Sequence, residues 1–160
     1  MAPRNVSRML SQSFGSSEFC RTLVEDAPDT IIYADVGSMI RFWNHGAERI
    51  FGYTEGEVLG HSLDMIIPEA LRKRHWDGYA ETMRIGTTRY GVGDVLAVPV
   101  VRKDGTRVSI EFSILLFRSH EGHMLGAAAI LRDVSKRFDE TKTLRSEVAA
   151  LRKQLEGRIR

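Results

Sequence analysis

Cysteine is almost missing from this chain of 160 residues. The single thiol, Cys20, cannot close an internal disulfide, and no Cys/His grouping has zinc-ligand spacing. Cys20 lies in an amphipathic stretch and is expected to be a buried structural thiol. Neither sign of charge dominates. The 23 Lys and Arg against 21 Asp and Glu give a formal net charge of +2, too small an excess to imply a nucleic-acid partner. Long hydrophobic runs are missing too. No apolar stretch is long enough to cross a bilayer, and residues 1–17 lack the continuous apolar segment of a secretory signal. A cytoplasmic protein with no membrane partner is therefore expected. No Gly-rich phosphate loop precedes a helix and no G-x-S-x-G elbow occurs, so no enzymatic activity is expected. What is present, 42% hydrophobic and 28% charged residues, suits one compact domain with short appendages.

Residues 1–16 read as a loosely ordered, Ser-rich arm, with a short helix around Val6–Leu10. Apolar positions 19, 20, 23 and 24 then have helical spacing behind Ser17 as N-cap, and Pro28 ends that helix. Thr30–Asp35 is β-branched and aromatic, Val36-Gly37-Ser38 is a turn, and Met39–Trp43 alternates, which predicts a hairpin. Asn44 is placed to cap a helix over His45–Phe51, and Gly52, free to take a positive φ, stops it. A short helical turn follows Thr54, and Leu63–Ile67 is a brief apolar element. The longest helix of this half runs from about Pro68 to Met83, with Gly86 just past its end. Val95–Val101, Arg107–Arg118 and His123–Arg132 read as strands, separated by Lys103-Asp104-Gly105 and Ser119-His120-Glu121-Gly122 as turns. Residues 17–135 thus form an α+β pattern around one antiparallel sheet.

Beyond residue 135 the periodicity changes. Leu144, Val148, Leu151 and Leu155 alternate spacings of four and three, a heptad seam with Val148 and Leu155 at a and Leu144 and Leu151 at d. Charged residues flank the seam, so residues 136–160 are expected to form a coiled-coil helix that pairs two copies of the chain. A helix packed on its own sheet is the alternative. Two heptads are marginal alone, and the adjoining domain must contribute to their stability.

The block Trp43-Asn44-His45-Gly46-Ala47-Glu48-Arg49-Ile50-Phe51-Gly52-Tyr53, followed by Glu57-Val58-Leu59-Gly60, resembles a signature of the PAS superfamily. Arg102-Lys103-Asp104-Gly105 resembles that family's hairpin turn, and Arg132-Asp133-Val134-Ser135 its terminal R-D-[IV]-T signal. The resemblance covers about residues 18 to 135. It implies a five-stranded antiparallel sheet curled around a pocket, with short flanking helices, and a sensory or interaction role. Such a role would belong to the sensory piece of a longer kinase, cyclase or transcription regulator, with a signalling protein as a possible partner.

Two pocket chemistries follow from residue types. Flavin photoreceptors of this superfamily carry a reactive cysteine where this chain reads Leu63-Asp64-Met65-Ile66-Ile67-Pro68, so flavin–cysteinyl chemistry is excluded. Ile67-Pro68-Glu69 through Arg72-Lys73-Arg74-His75-Trp76-Asp77-Gly78-Tyr79 resembles the proximal segment of FixL-type haem-PAS oxygen sensors. That likeness makes His75 the candidate ligand to the iron of haem b. On a helix, His75 aligns with Leu71, Tyr79 and Met83 at four-residue steps, an apolar face. Asp94 stands where those sensors carry a gas-contacting arginine. The distal wall is accordingly expected to comprise Leu96, Leu115 and Leu125 or Ile130. A different small apolar ligand, or no ligand and a packed pocket, are the alternatives to haem.

Overall fold

A computed structural model describes residues 15–88 and 96–158. The described elements are α1 (Ser16–Glu25), β1 (Thr30–Asp35), β2 (Ile40–Trp43), α2 (His45–Phe51), α3 (Glu55–Val58), a 3₁₀ turn (Leu63–Met65), α4 (Glu69–Ile85), β3 (Leu96–Val101), β4 (Arg107–Arg118), β5 (Met124–Asp133) and α5 (Ser135–Arg158). The expected helix at Val6–Leu10, and Val95 and Asp94, lie outside the described residues. The five strands form one antiparallel sheet in the order β2-β1-β5-β4-β3. The first and last strands in sequence meet near its centre, from Thr30 opposite Leu131 to Asp35 opposite Gly126.

Register decides which side chains share a face. Ile32 opposes Trp43 and Ala129, Leu131 opposes Phe112, and Phe112 opposes Leu96. These residues, with Val98, Val100, Val108, Ile110, Ile114 and Leu116, line the inner, helix-covered face. Tyr33, Ala128 and Leu115, and Ile31, Ile130 and Ser113, line the outer face. Tyr33 and Phe117 stack edge-to-face there, ring centroids 5.3 Å apart.

One half of the inner face is closed by packing. Ile32, Ile40, Trp43, Ala47, Phe51, Val58, Ile66, Val100, Val108, Ile110 and Leu131 form a continuous buried cluster under α2 and α3. Asn44 sets this arrangement. Its Oδ1 accepts from Ala47 N and Ile31 N, both at 2.9 Å, and its Nδ2 donates to Val24 O and Asp29 O, both at 3.0 Å. One buried amide thereby caps α2 and ties it to α1, to the residue before β1 and to β1 itself. Gly46, next to it, lies so close to the Asp29 carbonyl that a Cβ would sit 2.4 Å from the oxygen.

The expected helix at Pro68–Met83 is Glu69–Ile85, with Pro68 outside it as N-cap and Gly86 in the left-handed region closing it. Cys20 is exposed, not buried. The helix that carries it, α1, has no fully buried residue. The C-terminal helix is present and begins directly after β5. Val134 N donates to Ser109 O (2.9 Å), and the Ser135 hydroxyl accepts from Ser109 N (3.0 Å). Leu144, Val148 and Leu151 are 59%, 47% and 58% exposed, and the side chain of Leu155 lies outside the description. No described helix is long and apolar enough to cross a membrane.

Candidate functional site

The other half of the inner face is spanned by α4, and there the packing changes. None of the 17 residues of α4 is fully buried. Leu71, His75, Tyr79 and Met83 are each half-buried, in one line, while Lys73, Arg74, Asp77 and Ala80 are exposed. Opposite them, Leu96, Phe112, Ile114, Leu116 and Ala127 are also only half-buried, although they point inward. Close-packed layers bury both facing surfaces. Here both are only half-buried, so the layer between α4 and the sheet is packed less completely than its neighbour, and this apolar layer is the candidate cleft.

Polar pins hold the helix in place of packing. Trp76 Nε1 donates to Asp64 Oδ1 at 2.8 Å, and Arg72 Nε donates to Ile67 O at 3.2 Å. The Tyr79 hydroxyl donates to the carbonyls of Asp35 (2.7 Å) and Ala34 (3.0 Å) at the end of β1. Burial pushes the Tyr79 hydroxyl far above the ordinary tyrosine range, with Asp35 adding to the shift, so it stays a donor at all physiological pH values.

His75 sits between two of these pins, its ring 5.6 Å from that of Trp76 and 5.8 Å from that of Tyr79. Its Nδ1 is buried and has no hydrogen-bond partner. Burial pushes the imidazole below its ordinary pKa, and the nearby Asp64 carboxylate offsets only part of that shift. At neutral pH the ring is therefore uncharged, the form in which imidazole offers a lone pair to a metal. An unpartnered, uncharged imidazole on an apolar face is a donor that could hold the iron of a haem, the group implied by the sequence resemblance to oxygen sensors. Cys20, on α1, is not part of these walls.

Of the expected site residues, Leu71, His75 and Tyr79 share the face of α4 that borders the cleft, and Leu96 lies on the wall opposite. Leu115 and Ile130 do not. Each belongs to the outward set of the sheet, and Leu115 is 52% exposed. Alternation along a strand reverses the face at every residue, so the inward neighbours are Ile114 and Leu116, and Ala129 and Leu131. Leu125 is 46% exposed, at the β4–β5 end where the register shifts, and its carbonyl accepts from the Tyr33 hydroxyl at 2.9 Å. Phe112, Ile114, Leu116 and Ala127 are wall residues that the sequence does not single out. The run Ile114-Leu115-Leu116-Phe117 is apolar on both faces, and only counting in steps of two from Ile110 recovers its inward members.

A five-stranded antiparallel sheet with short helices across one face defines a small α+β domain. Residues 28–136, more than half of the chain, match the PAS domain family, and the chain belongs to it. PAS domains are generally sensory modules rather than enzymes, and they occur within signalling proteins. The sensor protein FixL of Bradyrhizobium diazoefficiens is 32% identical over 94 residues, covering 59% of this chain and 18% of that protein. The oxygen sensor protein DosP of Escherichia coli is 30% identical over 112 residues, covering 70% of this chain and 14% of that protein. The chain thus spans less than a fifth of either relative. Among solved structures, the PAS domain of a protein from Colwellia psychrerythraea superposes with a TM-score of 0.66 at 20% identity. That superposition covers 76% of this chain and 99% of the other.

Proposed function

We propose that this chain is the ligand-binding PAS module of a signalling protein, that haem b in the cleft under α4 is its occupant, and that His75 holds the iron. The observation that carries the proposal is the pair of half-buried apolar faces, α4 and the inner sheet, with an unpartnered imidazole nitrogen between the Trp76 and Tyr79 rings. Two sensors among its relatives, one of them of oxygen, support a gas as the signal. Bound haem would supply an iron centre able to bind a diatomic gas. Leu71 and Tyr79 would flank the ligating His75, and Leu96, Phe112, Ile114 and Leu116 would exclude water from the opposite side.

Signalling runs through pairing of two copies along α5, by Leu144, Val148, Leu151 and Leu155. A cofactor-free pairing module is the second reading. It is favoured by the exposure of Leu144, Val148 and Leu151, which calls for a partner with or without a ligand.

The test is a visible absorption titration of the protein with haem, beside His75→Ala and a check of fold by circular dichroism. A saturable Soret band in the parent that is lost or strongly shifted in folded His75→Ala is the expected result. No saturable band in the parent, or an identical band in His75→Ala, would overturn the assignment.

A further inference from the structure

We infer that Arg118 is a positioning residue: by bridging the carbonyl of Gly86, which caps α4, and the β4–β5 hairpin, it fixes where the C-terminal end of the helix that carries His75 sits against the sheet. One guanidinium nitrogen of Arg118 donates to Gly86 O, the other to Gly122 O at 3.2 Å. Gly86 closes α4 with φ at +72°, its amide donating to Thr82 O at 2.8 Å. Two separate demands fall on this glycine. The left-handed backbone disfavours a side chain, and a Cβ there would lie only 2.3 to 2.9 Å from the Arg118 guanidinium atoms. The close approach is possible because position 86 has no side chain.

The bond also has a favourable sense. The last carbonyls of a helix carry partial negative charge, and a cation there is stabilising. A guanidinium presents donors in a planar fork and satisfies two carbonyls at once, which a lysine ammonium does less well. Because α4 buries no residue, its distance from the sheet is set by its pins. Trp76 and Tyr79 hold its middle, through Asp64 and the end of β1. Arg118 holds its C-terminal end, and it alone of these three bonds reaches α4 from β4.

That strand is also the one that contacts the output helix. At its other end Ser109 pairs with Val134 and Ser135, and Glu111 with Arg137 at the start of α5. A displacement of the C-terminal end of α4 therefore pulls on a strand whose opposite end holds α5.

The inference rests on α4 being the ligand-bearing wall, but its test uses the full chain with no ligand added, so failure of haem binding leaves it standing. Amide hydrogen exchange is compared in the parent, Arg118→Ala, Arg118→Lys and Arg84→Ala. In Arg118→Ala the amides of residues 82–86 should exchange at least about tenfold faster. Amides of β1 and β5 should be unchanged, Arg118→Lys should fall between, and Arg84→Ala, on the same turn, should match the parent. If Arg118→Ala does not fold, Arg118→Gln supplies the same comparison. Unchanged exchange at residues 82–86 in Arg118→Ala would overturn the inference.

Discussion

Glu57 shows how much one side chain can depend on a partner far away in sequence. The Lys103 ammonium on its carboxylate, together with the backbone and hydroxyl of Thr54, holds its pKa at about 2 instead of 4.5. A carboxylate whose pKa is lower in the folded state stabilises that state above its unfolded pKa. The contribution is lost as pH falls towards the folded value. The stability advantage of the parent over Glu57→Gln should accordingly be constant above about pH 5.5 and vanish as pH approaches about 2. Urea melts at a series of pH values measure it; an advantage that persists undiminished at the acid end would contradict the pairing. The capping role of Asn44 is legible from its position before an apolar helix. Its bonds to Val24 and Asp29 are not, because they depend on where α1 and the start of β1 come to rest. The same holds for Glu57: Thr54-x-x-Glu57 reads as a capping box, whereas Lys103 reaches it only because the β3–β4 turn folds over α2.

At the scale of elements, strands and helices follow their local signals within one or two residues. Turn chemistry at Lys103-Asp104-Gly105 and the glycines after α2 and α4 mark the boundaries clearly. Which face of a strand looks inward is harder. Leu115 and Ile130 are as apolar as their neighbours, and composition does not distinguish the two faces of a strand that is hydrophobic throughout. Register against Ile32 and Leu131 does. Helix α5 poses the converse problem: its seam is legible, but the described fold buries none of Leu144, Val148 and Leu151. Apolar side chains repeating along one face of an exposed helix gain from burial against a second copy. The parent should sediment as a dimer in sedimentation velocity, and Val148→Asp combined with Leu151→Asp should give monomers. The stability of the sheet domain should change by less than about 0.5 kcal/mol, since these residues do not touch its core. Identical sedimentation of parent and variant would show that the seam is not the interface.

The whole molecule divides its inner face between two tasks. Under α2 and α3, side chains from Phe51 to Ile110 interlock and fix the fold. Under α4 the apolar walls are only half-buried, and hydrogen bonds at Trp76, Tyr79 and Arg118 tie the helix to its neighbours. On the proposed function, a ligand filling this layer would bind most tightly in one position of α4, and that difference in affinity would shift the population. Strands β4 and β5 run from the cleft to the start of α5, through Ser109, Val134 and Asp133, so the position of α4 and the setting of α5 are mechanically joined. The most direct test of this account is amide hydrogen exchange of the full chain with and without saturating haem. Slower exchange is predicted across α4, together with altered exchange at Val134–Phe138 and no change in α2. Exchange unaltered at both α4 and Val134–Phe138 would contradict a sensory cleft coupled to the output helix.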